Sequence, residues 1–370
     1  MPFITQEHKY FKSDNIPTNS SSSSSSSSTK PLPTFSRSAP TPDPNQIAPL
    51  IIACFDIECI GHNRRFPCAT NPEDQICMVA TSLLKQGESE ASFRHIITTR
   101  NLDNLYTLFL NNKLYLSINW YDVMYIRLIC FYMGLLGPCD PIPNAQVIVV
   151  ENERDLLEKW RQFILSSDPD VLLGYNQLNF DLPYMVTRAE LHDLTDFCEL
   201  GRIQPVDLEN NNPWQSQRSR RNPQRLAKTK VRAKMISKTT TSRAHGTNTV
   251  KSLDMPGRIQ LDLYRYLNTE HKLQSYSLNY VSEHFLQDTK EDVPYWCIAK
   301  LFAGSPADVA TVARYCIKDT LLPLRILVKL DIVINLIGMA RVTGVPVGRL
   351  VTRGQQYKVF FYSFSKPYPV

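Results

Sequence analysis

The stretch that decides the fold is Ala48-Pro49-Leu50-Ile51-Ile52-Ala53-Cys54-Phe55-Asp56-Ile57-Glu58, an apolar run that ends in two carboxylates. A continuous apolar run of this length is typical of a strand that is buried inside a sheet. Side chains two apart on a strand lie on the same face, so Asp56 and Glu58 are predicted to point toward a shared position. Carboxylates this close repel each other unless a cation lies between them, and Mg²⁺ prefers oxygen ligands. An isolated pair of this kind is more often an ordinary surface pair, but the preceding apolar run disfavours that interpretation.

Downstream of this strand, helical and strand patterns alternate. Residues 151–168 carry apolar side chains at helical spacing, namely Leu156, Leu157, Trp160, Phe163 and Ile164. Asp168-Pro169-Asp170 ends this predicted helix, and Val171-Leu172-Leu173-Gly174-Tyr175 predicts a second buried strand. Further helices are predicted over residues 307–330 and 331–340. Strands that alternate with helices indicate an α/β domain.

Two later segments add further acidic side chains. Tyr175-Asn176-Gln177-Leu178-Asn179-Phe180-Asp181 is followed by Pro183, which is typical of a first helical turn, so Asp181 is placed near a helix N-terminus. A carboxylate there could equally be a helix cap. Tyr315 and Asp319 are four apart on a predicted helix and share one face, although a tyrosine so placed is commonly part of a core. With Asp56 and Glu58, these segments offer four carboxylates and one phenol, from which a two-metal nuclease site can be built.

Positive charge is concentrated in one segment. Residues 218–251 contain eleven Lys and Arg and no Asp or Glu, and without them the formal net charge of +6 would be −5. A local excess predicts contact with a polyanion at one place. The candidate DNA-binding residues in this segment are Arg218, Arg220, Arg221, Lys228, Lys230 and Arg232. The alternatives are a solvated insertion without a ligand, or a nuclear localisation signal at 218–221.

The remaining composition is typical of an intracellular globular chain with a low-complexity N-terminus. The run Ser20–Ser28 and the Pro-rich stretch after it predict a disordered tail over residues 1–49. The nine cysteines form no C-x-x-C pair, which favours reduced thiols. A zinc site could be argued from Cys54, Cys59, Cys68 and Cys77, but their irregular spacing favours ordinary core and surface cysteines.

The stretch 105–136 is rich in Leu, Ile, Tyr and Phe, as a membrane span would be. Asn119, Asp122 and Arg127 interrupt every window of the length that a bilayer requires, so no membrane role is expected.

The segments Phe55–Glu58, Tyr175–Tyr184 and Tyr315–Asp319 resemble the three exonuclease motifs of family B DNA polymerases. Outside these motifs, four segments are similar to the eukaryotic delta branch of that family, namely Pro256–Leu263, Lys272–Asn279, Ala340–Pro346 and Arg353–Gln356. The resemblance covers roughly residues 50–100 and 137–360. It implies a ribonuclease-H-like α/β exonuclease domain over residues 50–330, with a mixed sheet flanked by helices, followed by the truncated start of a polymerase region over 331–370.

Carried over residue by residue, the resemblance implies a two-metal centre in which Mg²⁺ or Mn²⁺ ions are held by Asp56, Glu58, Asp181 and Asp319. Tyr315 would orient the attacking water, and Asn176 and Phe180 would contact and wedge the frayed primer end. A β-hairpin within the basic insertion 205–255 would help hold primer and template apart. The implied activity is removal of mispaired 3′ nucleotides from a DNA primer–template during replication in the nucleus. Accessory subunits of a replicative polymerase are implied as partners.

Two stretches depart from the family pattern. Residues 101–135 and the tail after Lys358 match nothing in it, and we interpret both as translated intron sequence. The palm motifs D-x-x-S-L-Y-P-S and Y-G-D-T-D-S are absent, so the chain as given is not expected to polymerise. Two alternatives to a proofreading exonuclease remain. One is a non-catalytic DNA-binding fragment of the polymerase. The other is an independent nuclease acting on DNA or RNA, which the polymerase-like segment 340–358 disfavours.

Overall fold

The computed structural model describes residues 47, 49–61, 65–99, 139–203, 235–242, 246–288, 293–353 and 355–365. The chain divides into two units, Met1–Ile47 and Ala48–Val370, and every element described here lies in the second. The strands are β1 (Ile51–Cys59), β2 (Ile76–Lys85), β3 (Phe93–Thr99), β4 (Gln146–Val150), β5 (Val171–Gly174), β6 (Met235–Ser242), β7 (Gly246–Leu253) and β8 (Ile259–Asp262). The helices are α1 (Glu153–Ser167), α2 (Asp181–Leu191), α3 (Leu263–Glu270), α4 (Leu278–Leu286), α5 (Tyr295–Phe302), α6 (Pro306–Lys329), α7 (Ile332–Thr343), α8 (Val347–Thr352) and α9 (Gln355–Ser365).

Six of the strands form one mixed sheet in the order β4-β3-β2-β1-β5-β8. The pairs β1–β2 and β2–β3 are antiparallel, whereas β3–β4, β1–β5 and β5–β8 are parallel. The apolar run that ends in Asp56 and Glu58 is therefore an inner strand, with a partner on each side. The predicted α/β class, with a mixed sheet flanked by helices, is confirmed.

The two faces of β1 contact different helical layers. Phe55 packs against Trp160 of α1 with ring centroids 5.1 Å apart. Cys54 belongs instead to a buried cluster formed with the C-terminal half of α6. Because side chains alternate along a strand, Asp56 and Glu58 share the face of Cys54, on the side of α6. The alternation of side chains along β1 thus places Asp56 and Glu58 on the side of α6, the helix that carries Tyr315 and Asp319.

The helices and strands predicted downstream are also found. The helix predicted over 151–168 is α1, which begins after Asn152, whose side chain accepts from the Asp155 N–H, and ends at Asp168 in the left-handed region. The strand predicted over 171–175 is β5, and the helices predicted over 307–330 and 331–340 are α6 and α7. A capping box formed by Ser305 and Asp308 fixes the start of α6.

Several predictions concern residues outside the described ranges. They include the tail before residue 47, the atypical insertion 101–135, the apolar stretch 105–136 and the six basic candidates Arg218, Arg220, Arg221, Lys228, Lys230 and Arg232. In the second half of segment 205–255, β6 and β7 pair antiparallel as a two-stranded sheet. Among the residues that the structure describes, no helix combines the length and apolarity needed to cross a bilayer.

Candidate active site

The first two acidic side chains meet a thiol from α6. Ligand atoms of Asp56, Glu58 and Cys316 all lie within 4.8 Å of one another. The Cys316 thiol donates to the backbone oxygen of Asp56 at 3.6 Å and lies 3.9 Å from its Oδ2. Sequence reasoning placed Asp56 and Glu58 correctly on one face, but it missed Cys316. That residue sits between Tyr315 and Asp319, so its position beside the third acidic segment was the available signal.

Asp181 reaches the same strand from the start of α2. The parallel pairing of β5 with β1 extends from Ile52 to Cys54, so the edge of β1 beyond Cys54 is open to other partners. There the backbone N–H of Ile57 donates to the Asp181 carboxylate. Asp181 is the first residue of α2 and is only 3% exposed, and Phe180 occupies the cap position. The Asp181 carboxylate therefore accepts a hydrogen bond from β1 at the residue between Asp56 and Glu58. It also accepts one from its own backbone N–H.

The third acidic segment lies on α6, in the layer that covers the Asp56 face of β1. Asp319 is buried and Tyr315 is half-buried, four residues earlier on the helix. The charge of Asp319 raises the pKa of both Asp181 and Cys316, so Asp319 lies within electrostatic reach of both. Residues from three distant segments are thus brought into one region.

A further carboxylate, Asp262 at the end of β8, supports the second acidic segment. Its Oδ1 accepts from the Asn176 N–H at 3.0 Å, and its Oδ2 accepts from the Leu178 N–H at 3.1 Å. Because β8 lies beside β5, its last residue reaches the turn that follows β5. Asp262 lies within Pro256–Leu263, which resembles the family, but it has no role in the site predicted from the sequence. An acidic residue directly after a short apolar strand was the signal that could have identified it.

The turn between β5 and α2 is tightly built. Asn176 adopts a positive φ of 64°, which asparagine tolerates better than most residues. Gln177 is fully buried, and its Nε2 donates to the carbonyls of Leu172 and Leu261, at 3.1 and 2.9 Å. A Cβ at Gly174 would come within 2.8 Å of the Gln177 side chain, so the close approach requires glycine. This turn fixes where α2 begins and therefore where Asp181 lies.

The proximity of these carboxylates changes their acidity. Burial, together with the charges of Asp262 and Asp319, raises the pKa of Asp181 to about 7, although backbone N–H donors to its carboxylate act to lower it. Burial also raises the pKa of Asp262, offset by the N–H groups of Leu178 and Asn176. Raised values of this kind mean that carboxyl groups are held in a poorly solvated region, where their ionised forms are disfavoured. A divalent cation placed among them would favour the ionised forms.

The donor atoms fit a divalent cation. Asp56 and Glu58 supply hard oxygen ligands of the type that Mg²⁺ takes, whereas the Cys316 sulfur is a soft donor that Mg²⁺ does not favour. Within the described ranges, this trio is the one group of three or more candidate ligand residues. Cys54, Cys59, Cys68 and Cys77 form no such group. Three of them are buried core residues and Cys68 is exposed, so the zinc alternative is wrong.

The two remaining described candidates lie beside the carboxylates. Asn176 is half-buried, and its Oδ1 accepts from the Asn179 side chain at 2.8 Å. Phe180 directly precedes Asp181 and packs on the buried ring of Tyr184, with centroids 5.5 Å apart. Both lie on the turn that delivers Asp181, so a molecule bound at the carboxylates would lie next to them.

Comparison with known proteins agrees with this geometry. The exonuclease domain of DNA polymerase family B matches residues 13–281. The chain is 35% identical over 321 residues to the DNA polymerase delta catalytic subunit of Candida albicans, covering 87% of this chain and 25% of that protein. It is 36% identical over 315 residues to the subunit of that name from Mesocricetus auratus, with coverages of 85% and 23%. For Dictyostelium discoideum the identity is 35% over 325 residues, with coverages of 88% and 24%. The chain thus spans about a quarter of the length of these relatives.

Proposed function

Because this chain belongs to DNA polymerase family B, through its exonuclease domain, we propose that it is a proofreading 3′-5′ exonuclease. Its substrate would be the mispaired 3′ end of a DNA primer. The observation that carries the proposal is the meeting of acidic residues from β1, α2 and α6 in one poorly solvated region. A fragment that only binds DNA would have no need of such an arrangement, because buried carboxylates weaken contact with phosphate. That non-catalytic fragment is the alternative function.

In this proposal, Asp56, Glu58, Asp181 and Asp319 hold two divalent ions, Mg²⁺ or Mn²⁺. The chemistry that the ions supply when bound is neutralisation of phosphodiester charge and a lower pKa for the attacking water. The chain's own contribution is to hold its carboxylates in place before substrate arrives. The Ile57 N–H orients Asp181, and the two N–H bonds to Asp262 hold the turn that precedes it. Preorganised ligands of this kind need no rearrangement during the reaction.

Other side chains would position the substrate. The phenol of Tyr315, half-buried on α6, is proposed to hydrogen-bond the attacking water. Asn176 offers an amide at the turn, and Phe180 offers a ring next to Asp181 that can separate the last base from its neighbour. A frayed strand end fits this arrangement better than a paired one, because a ring can take the place of a base only where pairing is lost.

The test is degradation of a 5′-labelled primer–template with one mispaired 3′ nucleotide, in Mg²⁺, by the purified chain. The expected product series shortens from the 3′ end and begins with the mispaired nucleotide. The double variant Asp56→Ala/Glu58→Ala is expected to release nothing while keeping its fold, as judged by circular dichroism. If the folded wild-type chain binds Mg²⁺ and DNA but degrades neither paired nor mispaired ends, the non-catalytic alternative replaces the proposal.

The polymerase context also belongs to the proposal. We propose the nucleus as its location and the primer–template of a replicative polymerase, with its accessory subunits, as its partners. Proteins named DNA polymerase delta catalytic subunit are the relatives that support this placement.

The basic segment 218–251 is proposed to contact the DNA backbone, because its cations lack acidic neighbours in sequence. Replacing Arg218, Arg220 and Arg221 with Gln is expected to weaken DNA binding and to flatten its salt dependence. Each lost phosphate contact should reduce the slope of log affinity against log salt by about 0.7 to 0.9. Fluorescence anisotropy over a series of salt concentrations measures this slope. An unchanged slope would show that these residues do not touch phosphate.

Asp262 is predicted to act as a positioning residue for this activity. Asp262→Ala leaves the N–H groups of Asn176 and Leu178 without their acceptor, so the turn that delivers Asp181 loosens. We expect the cleavage rate to fall about 10- to 100-fold, as for other supporting partners of metal ligands. Single-turnover rates at saturating Mg²⁺ measure the effect. Asp262→Asn keeps one oxygen acceptor and should lose less, and equal losses in the two variants would contradict a hydrogen-bonding role.

A further inference from the structure

The acidic pair on β1 lies beside a metal ligand of a second kind. The Cys316 sulfur is 3.9 Å from Asp56 Oδ2, and the ligand atoms of Asp56, Glu58 and Cys316 all lie within 4.8 Å of one another. Secondary structure fixes all three positions, because β1 carries the carboxylates and α6 carries the thiol. Two hard oxygen donors and one soft sulfur donor therefore face the same small volume.

The spacing of these atoms fits one ion that is held by sulfur and oxygen together. Zn²⁺ binds thiolate sulfur at about 2.3 Å and carboxylate oxygen at about 2.1 Å, so tetrahedral coordination separates the two donor atoms by about 3.6 Å. The 3.9 Å between Cys316 Sγ and Asp56 Oδ2 is close to that separation. With Glu58 as the third ligand, the fourth position of the ion stays open to water or a phosphate oxygen.

A neighbouring cysteine shows that core packing alone does not place a sulfur in this way. Cys77 and Cys316 are both fully buried and belong to the same apolar cluster. Each donates to a backbone oxygen of β1, Cys77 to that of Glu58 at 3.2 Å and Cys316 to that of Asp56 at 3.6 Å. Within the described part of the chain, Cys77 belongs to no group of candidate metal ligands, whereas Cys316 does. The bond to the backbone is therefore common to both thiols, and the approach to the carboxylates is particular to Cys316.

The surroundings of the Cys316 sulfur are acidic and poorly solvated. Burial raises the pKa of its thiol. The charges of Asp56, Glu58 and Asp319 raise that pKa as well, so three carboxylates lie within electrostatic reach of the sulfur. A divalent cation is attracted to such a position whatever its type, and a cation that also bonds to sulfur gains an additional ligand.

We propose that Cys316, Asp56 and Glu58 form a mixed thiolate–carboxylate site that prefers thiophilic divalent ions, Zn²⁺ above all, to Mg²⁺. Binding of the ion releases the thiol proton to solvent and forms a metal–sulfur bond. Mg²⁺ is held by the oxygens alone, so Cys316 determines the metal specificity of the site. None of the four cysteines considered from the sequence as a zinc site takes part.

The consequence for cleavage rests on the proposed function, whereas the metal–sulfur bond does not. Octahedral Mg²⁺ keeps several positions for water and phosphate. A tetrahedral Zn²⁺ with three protein ligands keeps only one. Zn²⁺ bound through Cys316 therefore displaces Mg²⁺ and stops cleavage.

The test measures metal binding by the full chain without DNA, after bound metal has been removed with a chelator. Cd²⁺ is the probe, because thiolate-bound Cd²⁺ absorbs in the ultraviolet by charge transfer and carboxylate-bound Cd²⁺ does not. The chains compared are wild type, Cys316→Ser, Cys77→Ser and Cys68→Ser. Cys77 is the matched buried control, and Cys68 is the control for an exposed thiol. Calorimetry gives the affinities of each chain for Zn²⁺ and Mg²⁺.

The wild-type chain should show the charge-transfer band, and Cys316→Ser should lose its tightly bound component. The ratio of Zn²⁺ affinity to Mg²⁺ affinity should fall at least about 10- to 100-fold in Cys316→Ser, since even partners that only support a ligand cost that much. Damaged packing would weaken the binding of both ions and leave the ratio unchanged. Cys77→Ser and Cys68→Ser should keep both the tight band and the ratio.

The proposal is overturned if Cd²⁺ gives no tight charge-transfer band in wild type, if that band survives in Cys316→Ser, or if Cys77→Ser lowers the affinity ratio as much as Cys316→Ser does. These results are separable from failure of the proposed function. A band that depends on Cys316, without Mg²⁺-dependent cleavage, would remove only the exonuclease. Cleavage by a chain whose affinity ratio does not depend on Cys316 would remove only the mixed site.

Discussion

Asp56→Ala is expected to lower the rate of 3′-end cleavage at least about 10³-fold while leaving DNA affinity unchanged or slightly higher. The Asp56 carboxylate lies within 4.8 Å of the ligand atoms of Glu58 and Cys316, so its loss removes a proposed metal ligand. The effect should exceed the roughly 10- to 100-fold typical of residues that only support a ligand. Affinity should not fall, because the proposed DNA contacts are made by the cations of segment 218–251, and a nearby negative charge is removed.

Single-turnover degradation of a mispaired primer measures the rate, and anisotropy in EDTA measures the affinity. Glu88→Ala is the matched control, since it removes an exposed carboxylate from the connection between β2 and β3. The Asp56→Ala chain should be at least as stable as wild type in EDTA, because one fewer carboxylate is confined near Asp181 and Asp319. Equal loss of cleavage and DNA affinity would contradict a role for Asp56 in catalysis.

The parts of the site that were predictable from sequence are those set by short-range periodicity. The alternation along β1 was enough to place Asp56 and Glu58 on one face, and the helical period was enough to place Tyr315 and Asp319 on another. Predicting that these two faces meet requires knowing that α6 covers that side of the sheet. That is a tertiary fact with no local signature, and it entered through resemblance to a family.

Other parts depend on contacts between residues far apart in sequence. Asp262 accepts a hydrogen bond from the Asn176 N–H, 86 residues away in sequence, because β8 lies beside β5 in the sheet. Sequence spacing cannot give strand order, so this role was missed.

A buried ion pair between α1 and α2 illustrates the same limit. Glu153 opens α1 and looks from sequence like a surface residue, yet it is 3% exposed. Its carboxylate accepts from the Ile76 N–H at 2.8 Å and from Arg188 Nε at 2.8 Å, and it lies 2.7 Å from His192 Nε2. Arg188 is also buried, and its guanidinium donates to the backbone oxygens of Asn71 and Pro72, at 2.6 and 3.2 Å. This ion pair therefore holds the connection between β1 and β2.

Arg188→Met is expected to destabilise the chain by about 3–5 kcal/mol, the usual cost of leaving one partner of a buried ion pair uncompensated. The loss should be large because Glu153 would keep its charge in a poorly solvated position, and the backbone carbonyls of Ala69, Asn71 and Pro72 would lose a donor. Urea unfolding, followed by circular dichroism, measures the change in free energy. Arg202→Met is the matched control. Arg202 pairs with Asp168 and Asp170 but is 34% exposed, so its loss should cost about 1 kcal/mol or less.

The double variant Glu153→Leu/Arg188→Met separates the ion pair from the packing around it. With both charges removed, the cost should be well below the sum of the single variants, because no unpaired charge stays buried. The connection it holds leads from the end of β1 to the start of β2. An Arg188→Met chain as stable as Arg202→Met would show that Glu153 is compensated by His192 and Ile76 alone. In that case the core beneath the connection between β1 and β2, rather than the ion pair, would hold the connection in place.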